Sequence, residues 1–281
     1  MANTNMNRQV IDIRTSAGVG DISNEILRRW SDKGYDQAVK EGNYDRSRER
    51  LNFEIAKGGK VVPVDKDRPL DKRMAEMLAS RGIKDPNIGR VNPNIRTAVQ
   101  FIFSGSHDRM TELAFGNQKV DFEAKSGNEK VKRMPEIEEW AKDIYNFVAR
   151  KFGEENIISF VVHLDETTAH AHCDIVPVNE QGRISYKDVF HGHNKAEYKQ
   201  FILQLHNELA EVNSKWGLAR GTSKVLTGAK GHTTESYRRW LNQECDSLEE
   251  RRSNLQNAIS ELNKELATAI TKQKRFTTMI E

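Results

Sequence analysis

Short alternating runs of apolar residues fill the first two thirds of the chain, and a seven-residue repeat marks its end. QVIDIR at 9–14 alternates with period two and predicts a strand, broken by Gly18 and Gly20. Residues 24–41, with Trp30 and Tyr35, read as one helix stopped by Gly42. A polar, basic connector follows over 43–50, and LNFEI at 51–55 alternates again. Gly58-Gly59 marks a turn, and KVVPV suits an edge strand because Pro63 cannot donate to a ladder. A helix is predicted over 70–82, then a loop, then the strand TAVQFIF at 97–103, stopped by SGS.

Pro135 opens a further helix. Its apolar positions 137, 140, 144, 147, 148 and 152 share one face, and Gly153 closes it. IISFVVHL and AHCDIVPV read as two strands joined by a short connection, hence an antiparallel pair, and GRISYKDV as one more short strand. A helix is expected from Asn194 to about Trp216. A hairpin at the centre excludes a purely parallel sheet. The expected class is α+β, a central antiparallel sheet with helices packed on one face, followed by a C-terminal helical extension. Residues 1–217 form the expected catalytic-type domain, and 218–281 a basic linker and long helix. In that helix Leu248, Leu255 and Leu262 lie seven apart, with Ile259 and Leu266 between them, a short heptad seam suited to self-association or to a protein partner.

Composition narrows the classes. The 281 residues are 37% hydrophobic and 30% charged, with mean hydropathy −0.73, polar for a globular chain but sufficient for a core. A net charge of +3 gives no uniform pull on nucleic acid, so local clusters must supply it. One such cluster is Lys215–Arg239, at net +5. Cys173 and Cys245 give neither a disulfide framework nor a CxxC site. No run approaches the ~18 apolar residues of a membrane span, and MANTNMNRQV has no secretory pattern. A reducing cytoplasm is the expected location. The terminal KRFTTMIE ends a helix without a stop signal, which suggests a piece of a longer protein.

The chemistry concentrates in HLDETTAHAHCDIVPV at 163–178. Residues two apart on a strand share a face, so His170 and His172 project together, and an antiparallel partner brings His163 beside them. Three imidazoles converging from a hairpin form an open metal triad that leaves positions for water or substrate. A single histidine on a strand is usually packed or on the surface, and His107, His206 and the loop pair His191 and His193 read that way. Three at H-x(6)-H-x-H do not. Asp174 continues the histidine face and could orient a ligand imidazole. Asp165 and Glu166 sit at the tip, with Glu166 the candidate for acid–base work or metal tuning. Their bland reading is a solvated turn.

His163–Pro177, H-x-D-E-x-x-A-H-x-H-x(4)-P, resembles the metal motif of the MobV (Pre/Mob) relaxases, plasmid mobilisation and recombination enzymes of the HUH nuclease group. That family usually has proline where this chain has Ala169. NYDRSRERLNFEI at 43–55 is similar to the family's N-x-D-x-x-R-x-x-L-N motif, matched by Asn43, Asp45, Arg48, Leu51 and Asn52. KGHTTESYRRW is also similar in character to the segment after the family's catalytic domain. The resemblance spans roughly 8–240. It implies an enzyme that binds single-stranded origin-of-transfer DNA beside a hairpin and nicks it by transesterification. A 5′-phosphate stays on the protein and a 3′-OH is freed, with a divalent ion, Mn2+ or Mg2+ (or Zn2+), polarising the phosphate.

Some family members use an N-terminal histidine as nucleophile, and no histidine precedes His107 here. Tyr44, inside NYD, is the first candidate and Tyr35 the second; their bland reading is packing or base stacking. A serine, or Asp45, stays open. Arg46, Arg48, Arg50 and Asn52 beside Tyr44 are candidate DNA contacts, as are Lys224, Lys230, Arg238 and Arg239 for the duplex arm. The bland alternative for the arginines is a solvated connector. Arg90, Asn92, Asn94 and Arg96 form a polar loop with no preferred reading. Two other functions compete. One is a metal-dependent nuclease or phosphodiesterase without a covalent adduct. The other is a non-catalytic DNA-binding replication or mobilisation protein with a structural metal. The last is weakest, since structural zinc closes its shell with four protein ligands and Cys173 points away from His172.

Overall fold

The computed structural model describes residues 7–40, 44–122, 126–221 and 234–280. Asn43, Lys224 and Lys230 lie outside these residues, and the side chains of Arg238 and Arg239 lie outside what is described. The chain divides into two compact units, Met1–Gly221 and Thr222–Glu281.

The first unit is built on six strands: β1 (Gln9–Ser16), β2 (Phe53–Ala56), β3 (Lys60–Val62), β4 (Ala98–Gly105), β5 (Ile157–His163) and β6 (His170–Ile175). Their order across the sheet is β1-β4-β6-β5-β2-β3, with every pair antiparallel. β3 is an edge strand, as Pro63 requires. The helices are α1 (Gly20–Ile26), α2 (Asp32–Lys40), α3 (Leu70–Ser80), α4 (His107–Phe115), α5 (Pro135–Phe152), the single turn α6 (Tyr186–Val189) and α7 (Lys195–Ser214). The fold is α+β, as expected.

Alternation along the central strands sorts side chains into two layers. Phe101, Phe103, Phe160, Val162, Ala171, Cys173 and Ile175 face the main core, where α4, α5 and α7 supply Phe115, Trp140, Ile144, Val148 and Leu209. Each fully buried aliphatic or aromatic side chain contributes roughly 1.5–3 kcal/mol. α5 forms where its pattern predicts: Pro135 starts it, its expected face is buried, Arg150 and Lys151 meet the C-terminal dipole, and Gly153 ends it at φ 85°.

The opposite face is mixed. His170, His172 and Asp174 project from β6, but Ile158 and Val161 of β5, with Val176 and Val178, are apolar there and must be covered. Ile26 and Leu27, at the end of α1, and Leu70, Met74 and Leu78 of α3 do so. Helices therefore pack on both faces, not one.

Two local expectations are corrected, and one element was not anticipated. The helix expected over 24–41 is two helices, because the chain turns at Arg28, whose φ is 51°. α4 was not legible: it is nine residues with one buried stripe, Met110, Leu113, Ala114 and Phe115. GRISYKDV makes only a bridge between Val178 and Ile184 before α6.

The second unit contains α8 (Thr234–Ile280). Leu248, Leu255, Ile259, Leu262, Leu266 and Ile270 on it are exposed, at 44–64%. Among the described residues no helix is long and apolar enough to cross a membrane.

Candidate metal centre

The register that pairs His163 directly with His170 builds the site. His163 ends β5 and His170 starts β6, so the two rings meet at the mouth of the hairpin, and His172 joins from one pleat further in. Ring centres lie 4.8–5.2 Å apart. One ligand nitrogen from each of the three falls within 4.8 Å of the others.

Backbone carbonyls select the tautomers. His163 Nε2 lies 2.8 Å from the Ile26 carbonyl and His170 Nδ1 lies 2.9 Å from the Thr168 carbonyl, so both nitrogens donate. His163 Nδ1 and His170 Nε2 are thereby left as acceptors, and His170 Nε2 sits 3.0 Å from His172 Nε2. His163 Nδ1 is buried and has no hydrogen-bond partner. Burial lowers the His170 and His172 pKa values, His172 well below its ordinary value, with neighbouring histidine charge adding to it. Neutral imidazoles with converging lone pairs are what a divalent cation needs. The donor set therefore fits such an ion. Glu166 Oε1, at 3.6 Å from His163 Nδ1 and 3.7 Å from His170 Nε2, borders the same point.

The acidic tip is not a solvated turn. Asp165 is fully buried. Arg28, also buried, donates to both Asp165 oxygens at 2.9 Å and to Glu166 Oε1 at 2.6 Å. Its remaining fork donates to the Glu25 carbonyl at 2.8 Å. Burial alone would raise both carboxyl pKa values. For Asp165 the Arg28 charge overrides it, and for Glu166 the close approach of His163 at 3.6 Å, with His170 and Arg28, does, so both lie below the usual range. Arg28 is the residue that sequence reasoning missed. The one available signal was stoichiometric: two adjacent acids inside a hairpin require a cation, and it comes from a turn 137 residues away.

The 44–52 segment is a cradle for that tip. The Asp45 N–H donates to the Asp165 carbonyl at 2.7 Å, and Asn52 Oδ1 accepts from the Leu164 N–H at 2.7 Å. Arg48 donates to Asp45 at 2.7 Å and to the carbonyls of Leu164 and Glu166 at 2.6 and 3.2 Å. Arg48 is 1% exposed and Asn52 7%. Neither presents its polar group to a phosphate, which corrects the expectation that they touch DNA: a buried guanidinium is retained by the carbonyls it satisfies. Arg50 is exposed but donates to the carbonyls of Asn128, Glu129 and Val131. Arg46 is exposed, paired with Asp32 and Asp36, and lies 4.9 Å over the Tyr35 ring. Of the four, Arg46 is the one left in solvent whose ion-pair partners are both exposed.

Tyr44 and Tyr35 are both buried, at 8% and 5% exposure. The Tyr44 ring lies 4.4 Å from the Arg28 guanidinium carbon and 4.9 Å from Trp30, and its hydroxyl donates to Glu25 at 3.4 Å. Tyr35 packs on Trp30 at 5.5 Å. Burial raises both phenol pKa values, with Glu166 adding at Tyr44. Asp174 does not orient an imidazole. Its carboxylate accepts from Gln100 at 3.3 Å, and burial pushes its pKa up to about 7. Cys173 is in the main core, away from the histidines.

Residues 108–239 match the family model described as a plasmid recombination enzyme (Mob_Pre). Over that stretch, just under half of its length, the chain is similar to the MobV (Pre/Mob) family. The plasmid recombination enzyme type 1 of Staphylococcus aureus is 37% identical over 105 residues, which is 37% of this chain and 25% of that protein. The type 3 enzyme of Mammaliicoccus lentus is 31% identical over 100 residues, 36% of this chain and 22% of that protein. These matched segments thus span about a quarter of the length of the curated relatives. Among solved structures, the Mn-bound MobM relaxase domain with plasmid pMV158 oriT DNA is similar in fold. Its TM-score is 0.57 at 19% identity, over 83% of this chain and 98% of that one. In this chain the segments 44–55 and 163–177 are one structure, a histidine hairpin and the cradle that holds its tip.

Proposed function

We propose that the chain is a DNA relaxase: it nicks a single-stranded origin-of-transfer site by metal-assisted transesterification for mobilisation of a plasmid or mobile element in the bacterial cytoplasm. The observation that carries this reading is the three-nitrogen site, with the tautomers of His163 and His170 set by backbone carbonyls, in a chain similar to this family. His163, His170 and His172 hold a divalent ion, Mn2+ in our reading, as in the related MobM complexes. When bound, the ion withdraws charge from a phosphate oxygen.

Tyr44 is the nucleophile in this proposal, and Tyr35 the reserve. Tyr44 is one guanidinium away from Glu166, and its hydroxyl already faces a carboxylate. Its oxygen forms the new bond to phosphorus while the bond to the 3′-oxygen breaks. The phenol proton passes to Glu25 and returns to the departing oxygen. The raised phenol pKa makes that acceptor necessary. Glu166, held between Arg28 and two histidines, keeps the centre's charge balanced. Arg46 supplies a phosphate contact at the rim.

The test is incubation with manganese and a labelled single-stranded oligonucleotide of the cognate origin, followed by a denaturing gel and mass spectrometry. A 5′-linked peptide–DNA adduct supports the relaxase, and Tyr44→Phe should abolish it while DNA binding persists. Cleavage without an adduct would indicate a metal-dependent nuclease. The exposed heptad seam of α8 favours a second property: assembly with another copy of this chain.

A further inference from the structure

The loop between α3 and β4 carries the polar stretch Arg90, Asn92, Asn94 and Arg96, which the metal centre does not use. Residues 88–94 are all exposed. Two of them are large and apolar: Ile88 at 74% and Val91 at 95%. Among the described residues no large apolar side chain is more exposed. Single exposed apolar residues need no explanation. Here two stand three apart on one loop, and the loop is built to hold its shape.

Its base is tied by a buried amide. Asn87, 7% exposed, donates to the carbonyls of Ala17 and Ile95 at 3.0 and 2.7 Å and accepts from the Ile95 N–H at 3.2 Å. Asn87 also receives the Arg90 N–H on its own carbonyl, and Gly89 takes the turn at φ 76°. Arg90 is braced on the Pro86 carbonyl and on Asn94, and Arg96 lies 5.1 Å over the Tyr186 ring. From 86 to 96 the chain has two arginines and no acid. An apolar tip flanked by two arginines and by amides, with the one nearby carboxylate, Asp85, bonded to the Asn87 N–H at the base, suits a polyanion with stacked apolar bases and disfavours a basic protein surface.

Position agrees. The loop leaves α3, which packs on the histidine face, and enters β4 at Ala98. Ile102 of β4 lies opposite His172. Four residues of strand are about 13 Å, the rise of about four base pairs.

We infer that residues 86–96 are a DNA-wedge loop: Ile88 and Val91 press against or between base pairs of a duplex arm while Arg90 and Arg96 hold its phosphates. Side chains of this type flank and unstack base steps in groove-binding proteins. The inference rests on the DNA reading above.

The probe is a fluorescein-labelled DNA hairpin with a single-stranded tail, compared with the tail alone, titrated with the full chain at several salt concentrations. Ile88→Ser with Val91→Ser should weaken hairpin binding about tenfold and leave the tail unchanged. Arg90→Ala should lower the salt slope for the hairpin by about 1. Equal melting temperatures establish that the variants fold. Hairpin binding unchanged in all variants, or an equal loss for hairpin and tail, overturns the loop and leaves the relaxase reading standing. Failure of the unaltered chain to bind either DNA overturns both.

Discussion

Arg28→Ala tests the assembly of the site. The guanidinium is the partner of a fully buried carboxylate, with two donors to Asp165 at 2.9 Å and one to Glu166 at 2.6 Å. Removing one member of such a buried pair costs about 3–5 kcal/mol, because the other charge stays in a poor dielectric. Alanine keeps the left-handed backbone at position 28, so no strain is relieved. Glycine there should recover about 1 kcal/mol. For a domain of this size each kcal/mol lowers the melting temperature by about 2–4 °C, so the alanine variant should melt about 6–20 °C early.

The assay is thermal and urea unfolding followed by circular dichroism, with manganese titration of each variant. Replacing both partners by apolar residues, Arg28→Met with Asp165→Leu, removes the unpaired charge and should return much of the lost stability. Manganese binding should still be weakened in the double variant, since Glu166 has lost its tether, by roughly ten- to a hundredfold. A loss below about 1 kcal/mol for Arg28→Ala, the level of a surface ion pair, would refute the reasoning. So would a double variant as unstable as the two singles summed.

Asp45→Asn should destabilise the chain at neutral pH and much less in acid. Burial raises the Asp45 pKa, but hydrogen bonds from Ser47, Arg48 and Asn128 override it and hold it below the ordinary value of about 3.9. Its contribution is present above that value and lost as pH falls through the folded one, so urea midpoints of the two proteins should converge below about pH 4. Leu255→Ser with Leu262→Ser should shift the full chain from dimer to monomer in sedimentation velocity, and a parent chain that is already monomeric would refute self-association. Arg48→Lys should lower the melting temperature and weaken manganese binding without changing the salt slope for DNA, since one ammonium cannot replace a fork that spans Asp45, Leu164 and Glu166. A reduced salt slope would instead restore Arg48 as a phosphate contact.

Most of the sheet was legible because period-two alternation is a local property. The His163–His170 pairing follows from two strands and a short connection, and α5 from Pro135, Gly153 and one apolar face. The break at Arg28 was not legible. Residues 24–41 have no glycine or proline in the stretch 27–31 where the chain turns. What breaks the helix is tertiary: the buried carboxylates of the distant hairpin tip draw the guanidinium in, and no local propensity encodes that. α4 was hidden for a related reason, since nine residues with four apolar positions carry too little periodicity to stand out. The roles of Arg48 and Asn52 were misread because a cluster of arginines looks the same in sequence whether it faces water or carbonyls.

That misreading explains why the two motifs occur together. A hairpin that ends in His-Leu-Asp-Glu has a problem: its carbonyls at Leu164 and Glu166 and its two acids must be satisfied away from water. Arg48 takes the carbonyls, Asn52 takes the Leu164 N–H, and Asp45 takes the carbonyl of Asp165 with its own N–H. Arg28 takes the acids and presents its π face to Tyr44. Asp45, Arg48 and Asn52 act on the histidines through the backbone of 164–166, and Arg28 through the carboxylates of Asp165 and Glu166. The precision of the three nitrogens is therefore set by groups that would never touch a metal, and a change in the cradle should read out first as a looser metal centre and only then as weaker DNA chemistry.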